Sequence, residues 1–346
     1  MAFRAVVIGS GDYPRESGIV SYSEIGESAR HFGLVLDSDP LWRQDGGGCR
    51  VLTADEVRTP NGVMTALEEE ADRATHQDVL VVVYVGHGAL WKDVPDAEVH
   101  FAVGSSHQRK PWTWLSSWYV YRVMRQSKAR MKVLIADCCY SNQLKSLGGR
   151  PEAGSLGVIG QGKGTCLLTA VKGSDSLADP NGCPSLSDGL AGCTPFSGHL
   201  LDVLRRGTDD YHSHLTLGLL RDAVEQSMAG CDQAHHEPRM LLNDAHEKYV
   251  LATNRMDPAD RRPRPGNPVD PDQWVATLLR DAECDLEDLL RDADKTGEVV
   301  ARLSANRDER WQSRAQAVAD RAFRTFRNAP DALARYVITL DRAQAG

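Results

Sequence analysis

Apolar residues fall along this chain in two rhythms. Short, nearly uninterrupted apolar runs occupy 3–8 (FRAVVI), 49–52, 79–85 (VLVVVYV), 132–136 and 165–170. Runs of this length, rich in β-branched residues, read as strands buried on both faces of a parallel sheet. Between them, apolar positions recur every three or four residues. Ile25, Ala29, Phe32 and Val35 or Leu36 mark a helix over 23–36. Val63, Leu67, Ala71 and Ala74 mark another, opened by Thr59 as N-cap and Pro60 at the first helical position. The same spacing predicts helices over 114–131, with Leu115, Trp118, Tyr119 and Val123 facing in, over 196–206 and over 215–228. Residues 89–96 read as a loop and 99–103 as a minor strand; a last strand is expected at 240–242 or 249–251. The aromatic residues Trp112, Trp114, Trp118, Tyr119 and Tyr121 are expected in the core. Strands alternating with helices predict an α/β domain, a mostly parallel sheet with helices on both faces.

The rhythm changes near residue 255. Residues 256–271 are rich in proline and carry Arg261, Arg262 and Arg264, which reads as a solvated linker between a domain over 1–255 and a C-terminal segment over 272–346. That segment places Val275, Leu278, Ala282, Leu286 and, further on, Trp311, Ala315, Val318 and Ala322 on apolar stripes, the pattern of a small all-α module. Within the first domain two connections are long. One, over 147–164, is dense in glycine and flanked by Lys145, Arg150 and Lys163, a composition open to proteases. The other spans 171–194, and loops of that length inside a domain tend to carry function.

Composition narrows the function classes. With 41% hydrophobic residues the chain can bury a sizeable core, and its formal net charge of −8 argues against nucleic acid or an anionic membrane as partner. No apolar run reaches the roughly 20 residues that cross a bilayer, and the start lacks a secretion signal, so a cytoplasmic protein is expected. The eight cysteines are scattered through a long chain, as reduced thiols are. Cys183, Cys193 and His199 match no common zinc-ligand spacing, so no metal is expected.

Chemistry gathers at two strand ends. The run 79–85 is followed at once by Gly86, His87 and Gly88, and the run 132–136 by Asp137, Cys138, Cys139, Tyr140 and Ser141. In open α/β sheets, sites form where strands end. A cysteine and a histidine separated by 52 positions on two such ends suit a nucleophile and its base. Gly88, without a side chain, can bring its N–H close to a substrate carbonyl, as can the N–H of the nucleophile. Adjacent strand residues face opposite ways, so Cys138 and Cys139 cannot both meet His87, and composition does not decide between them.

This succession, GHG then about fifty residues then DCCYS, together with AVVIGSGDY, TAVKGSDSLA and TPFSGHLLDVL in order, resembles the caspase-like cysteine peptidases. Within them it is most similar to the metacaspase, paracaspase and bacterial caspase-like branch. The resemblance covers about residues 1 to 250 and implies a caspase-like fold, Cys139 as nucleophile and His87 as its partner. It implies that Asp137 lines the S1 pocket and pairs with arginine or lysine at P1, with Glu24 or Glu27 as a second acid. Protein or peptide substrates follow. Calcium-dependent relatives carry a dense acidic stretch after GHG; here Asp93, Asp96 and Glu98 are spread out, so no cofactor is expected. The glycine usual after the DCCYS serine is Asn142, which tolerates a left-handed backbone. The resemblance further implies a helical recruitment module at 272–346, a place in bacterial defence or cell-death signalling, and self-cutting at Lys145, Arg150, Lys163 or the 261–264 arginines. The alternative is a latent or non-proteolytic signalling adaptor acting through protein–protein contacts.

Overall fold

The computed structural model describes residues 1–91, 98–144, 164–172, 178–186, 189–210, 212–243, 247–257 and 261. In chain order these form β1 (Phe3–Ser10), α1 (Ser23–Asp37), β2 (Gly48–Val51), α2 (Pro60–Arg73), β3 (Val79–Gly86), β4 (Gly88–Leu90), β5 (Val99–Phe101), β6 (Leu115–Ser116), α3 (Ser117–Gln126), β7 (Met131–Asp137), β8 (Thr165–Thr169), α4 (Pro195–Arg206), β9 (His214–Thr216), α5 (Leu217–Ala229), β10 (Arg239–Asn243) and β11 (Val250–Thr253). Every continuous apolar run became a strand of one six-stranded sheet, ordered β10-β8-β7-β3-β1-β2. Five of the strands are parallel, and β10 closes one edge antiparallel to β8.

Alternation along the strands builds two cores. Ala5, Val7, Val81, Val83 and Val85 face α1, α4 and α5, whereas Val6, Ile8, Leu80, Val82 and Tyr84 face α2 and α3. Helices therefore cover both faces, as the apolar runs require. Thr59 caps α2, its side chain accepting from Gly62 N, and Pro60 takes the first helical position.

Five expectations change. The helix expected over 114–131 begins only at Ser117, because Ser116 caps it, accepting from Trp118 N at 3.1 Å, while Leu115 belongs to β6. The inward stripe is Val120, Tyr121, Val123 and Met124; Trp118 and Tyr119 are 42% and 51% exposed and Trp112 is 77% exposed, so of the five aromatics only Trp114 and Tyr121 are buried. Residues 88–90 are a strand, β4, paired antiparallel with β5. Both last-strand candidates exist: β10 in the main sheet, and β11 in a separate ribbon with β9. Arg261 is also not a solvated linker residue, since its guanidinium donates to the carbonyls of Asn254 (2.8 Å) and Met256 (3.0 Å). Residues 92–97, 145–163 and 262–346, which hold Lys145, Arg150, Lys163 and the helical module, lie outside the described residues. Among the described residues no helix is long and apolar enough to cross a membrane.

The end of the domain is tied by one side chain. Asn254, 1% exposed, accepts from Thr208 N (2.9 Å) and donates to the carbonyls of Thr208, Asp210 and His212 at 2.9–3.0 Å. Asn254→Ala removes two N–H donors and one carbonyl acceptor, the latter also receiving Met256 N at 3.3 Å, and at about 1 kcal/mol for each it is expected to cost about 3 kcal/mol. Urea denaturation measures this as a lower midpoint at unchanged slope; a loss below about 1 kcal/mol would mean that water replaces the amide.

Candidate active site

Adjacent parallel strands deliver the two motifs to one place. In the β3–β7 pair Val85 lies opposite Asp137, so the next residues of each chain, His87 and Cys139, leave the sheet in the same row. The turns touch: a Cβ built on Gly88 would lie 2.1 Å from the Cys139 carbonyl oxygen and 3.1 Å from Cys138 Sγ. Only glycine fits that contact, which holds the Gly88 backbone against the Cys139 peptide.

The His87 backbone is fixed from beneath. Its carbonyl accepts from Ala102 N at 2.9 Å and lies 2.7 Å from the hydroxyl of fully buried Tyr84. The ring sits between Tyr13 and Tyr22, each with its centroid 5.6 Å away, and Nε2 lies 2.8 Å from the Val20 carbonyl. A carbonyl only accepts, so Nε2 carries the proton and Nδ1 keeps the lone pair. Burial pushes the His87 pKa down, opposed by the bond to Val20.

The two cysteines differ as the pleat demands. Cys138 is 1% exposed and sits in the apolar core with Tyr84 and Tyr121, its thiol pushed far up by burial. Cys139 is half-buried, with Sγ directed at the Ala178 carbonyl 3.8 Å away. Burial raises its pKa too, with the nearby Asp137 charge adding to the rise. At rest the pair is thus a thiol and a neutral imidazole. The following residue, Tyr140, takes the left-handed conformation (φ 59°), and Ser141–Gln143 make a short 3-10 turn. The left-handed position expected at Asn142 is therefore at Tyr140, a placement that costs a non-glycine residue on the order of 1–3 kcal/mol. Asn142 instead lies within the turn, its carbonyl accepting from Arg239 at 2.9 Å.

Asp137 is buried at the end of β7. Its Oδ2 accepts from Thr194 Oγ1 (2.6 Å), Ser197 Oγ (2.5 Å) and Ser197 N (3.2 Å), which joins the sheet to the first turn of α4. Burial drives its pKa up, these three donors pull it down, and Asp179 adds to the rise. Thr194 also meets Ser28 on α1 at 3.1 Å, and Ser28 donates to the Glu24 carbonyl. Glu24, half-buried, is thus one turn from this network. Glu27 is exposed and paired with Arg30 at 2.6 Å, which holds its carboxyl below the usual range. Asp179, beside the Ala178 that receives the Cys139 thiol, is the acid whose charge reaches Asp137, and no motif marked it.

A second cluster includes Cys183 from the same segment. The donor atoms of Cys183, His199, Cys231 and His235 all fall within 4.8 Å of one another. Cys183 and His199 do come together, then, but with Cys231 and His235; Cys193 lies elsewhere, buried near Ser28. Four ligand-type side chains in one place replace the expectation that no metal could be held. The spacing Cys231-x3-His235 was the one local sign of it. A cavity of about 700 Å³ near Tyr22, lined by Gly9, Ser10, Asp12, Asp55 and Arg58, includes neither His87 nor Cys139.

No protein-family profile and no curated protein sequence matches the chain. Among solved structures, caspase-1 from Spodoptera frugiperda is similar at 12% identity and TM-score 0.46, over 74% of this chain and 90% of that one. Protein GSU0716 from Geobacter sulfurreducens is similar at 14% identity and TM-score 0.47, over 77% and 98%. The chemistry rests on this chain's own residues.

The resting thiol sets a test. Iodoacetamide is expected to label Cys139 and spare Cys138, with a rate that climbs with pH through a midpoint above the ordinary thiol value of about 8.5. Peptide mass spectrometry across pH measures it; a plateau already reached near pH 6 would instead mean a preformed thiolate–imidazolium pair.

Proposed function

We propose that the protein is a cysteine endopeptidase that cleaves after arginine or lysine. The observation that carries this is the side-by-side exit of His87 and Cys139 from β3 and β7, with Gly88 against the Cys139 peptide. Cys139 Sγ attacks the scissile carbonyl while its proton passes to His87 Nδ1, the ring being held by Val20 at Nε2. The N–H groups of Gly88 and Cys139 receive the oxyanion. His87 then gives its proton to the leaving amine, and water hydrolyses the thioester. Uncharged partners in the resting state mean that the proton leaves Cys139 for His87 during the attack rather than before it.

Asp137 selects P1 in this reading. A carboxylate kept out of water with a raised pKa gains most from an incoming guanidinium or ammonium, which would supply the countercharge its hydroxyl donors lack. Asp179 and Glu24 would assist it. The resemblance to bacterial caspase-like proteins adds a role in defence or cell-death signalling, with 272–346 as recruitment module and self-cutting as a route to activation. Three exposed aromatics, Trp112, Trp118 and Tyr119, favour a second reading in which the domain also binds a protein partner without cutting it.

Fluorogenic peptides with P1 Arg, Lys, Asp or Ala test the proposal, with wild type and Cys139→Ala, each with and without calcium. Turnover of Arg or Lys alone, abolished in Cys139→Ala and reduced at least about 100-fold in His87→Ala, is expected. Asp137→Asn should lose the basic preference by raising KM more than it lowers kcat. Cleavage after Asp would overturn the role of Asp137, and no turnover under any condition would leave the adaptor.

A further inference from the structure

The Cys183 cluster has the dimensions of a metal site. Sγ of Cys183 lies 3.6 Å from Sγ of Cys231, 3.5 Å from Nε2 of His235 and 3.8 Å from Nε2 of His199, and His235 Nε2 lies 3.2 Å from Cys231 Sγ. A tetrahedral zinc ion, with bonds of about 2.3 Å to sulfur and about 2.0–2.1 Å to nitrogen, separates its donors by about 3.6 Å (S to N) and about 3.8 Å (S to S). The four separations fall within about 0.4 Å of those values, and the remaining donor pairs lie within 4.8 Å of each other. The sulfurs are too far apart for a disulfide, whose bond is about 2.05 Å. Cys183, 0% exposed, is also too deep to be a second nucleophile.

The outer contacts fit as well. Nδ1 of His199 lies 2.7 Å from Ser227 Oγ, so Nδ1–H can donate there and turn the Nε2 lone pair into the cluster, the usual arrangement of a ligating histidine. Two thiols and two imidazoles suit zinc and exclude calcium or magnesium, which take oxygen donors. Four protein donors leave no open position, so such a site is structural.

We propose that Cys183, His199, Cys231 and His235 bind one Zn²⁺ and that this ion fastens the walls of the substrate pocket. Binding releases the two thiol protons and forms two Zn–S and two Zn–N bonds, with no change of oxidation state. The ion would join three pieces of chain: the segment 178–186, the second turn of α4 and the connection from α5 to β10. The first carries Ala178, against Cys139, and Asp179; the second follows Ser197, which holds Asp137. This pocket role rests on the peptidase reading; zinc binding itself does not.

The test uses the full chain purified without added metal or chelator. Elemental analysis should find about one zinc per chain, in Cys139→Ala as in wild type, and little in Cys183→Ser or Cys231→Ser. Cobalt exchange should give the visible bands of a tetrahedral site with sulfur-to-cobalt charge transfer. X-ray absorption on wild type should show two sulfur and two nitrogen neighbours, an answer available even where the serine variants do not fold. Chelation should open the 178–194 region to limited proteolysis in both wild type and Cys139→Ala, and abolish any peptide turnover in wild type. A folded wild type holding no zinc and giving no tetrahedral cobalt spectrum would overturn the proposal, whatever its peptidase activity. Zinc present in the purified protein, with proteolysis unchanged once it is chelated away, would overturn the pocket role alone.

Discussion

The pairing of β3 with β7 decides the geometry of everything chemical in this chain. Parallel neighbours end at the same edge of a sheet, so whatever follows each strand is brought together without long reach. Here Val85 stands opposite Asp137, and the register leaves no slack: a shift by one residue would turn His87 or Cys139 toward the opposite face. Seven apolar residues of β3, buried on both faces, hold that register. The Gly88–Cys139 contact is its direct consequence, since the two chains leave the sheet too close for any side chain between them.

The same edge carries an electrostatic cost. Burying the Asp137 carboxylate opposes folding by several kcal/mol, and hydrogen bonds to a charged acceptor return about 1.5–3 kcal/mol each. Thr194, Ser197 Oγ and Ser197 N offset much of the cost and at the same time fix where α4 begins. The helix start supports this assignment of roles, for Thr194 makes no side-chain cap of its own and spends its hydroxyl on Asp137 instead. Position of α4, and hence of His199, therefore depends on a carboxylate two residues before Cys139.

The sheet was legible because buried parallel strands are written as continuous apolar runs, and no other element of this size is. Their observed ends differ from the expected ones by a residue or two, for pairing extends past the last apolar side chain, as with Gly9 and Ser10 in β1. The helix over 117–126 was misread for a physical reason: Leu115, Trp118 and Tyr119 make a plausible stripe, but Ser116 starts the helix later, and the stripe that faces the sheet is Val120, Val123 and Met124. His87, Cys139 and Asp137 were legible as strand-end residues. Asp179 was not, because a loop acid has no periodicity to mark it. The Cys183 cluster was not either, since its ligands come from three segments and only Cys231 and His235 are close in sequence.

Cys139 and His87 are both shifted toward their neutral forms by burial, and that bears on control. An ion pair held ready in the free protein would react with any small electrophile that reached it. A neutral pair needs a further event, and the segment that faces Cys139 is where that event can act, because Ala178 is the residue its thiol touches. That segment makes few regular backbone bonds; among the described residues its closest organisation is the turn at Cys183, where Leu186 N donates to the Cys183 carbonyl at 3.0 Å. Whatever fixes Cys183 therefore fixes the surroundings of Cys139, and the fold has placed one sulfur and two imidazole donors within 3.8 Å of the Cys183 sulfur.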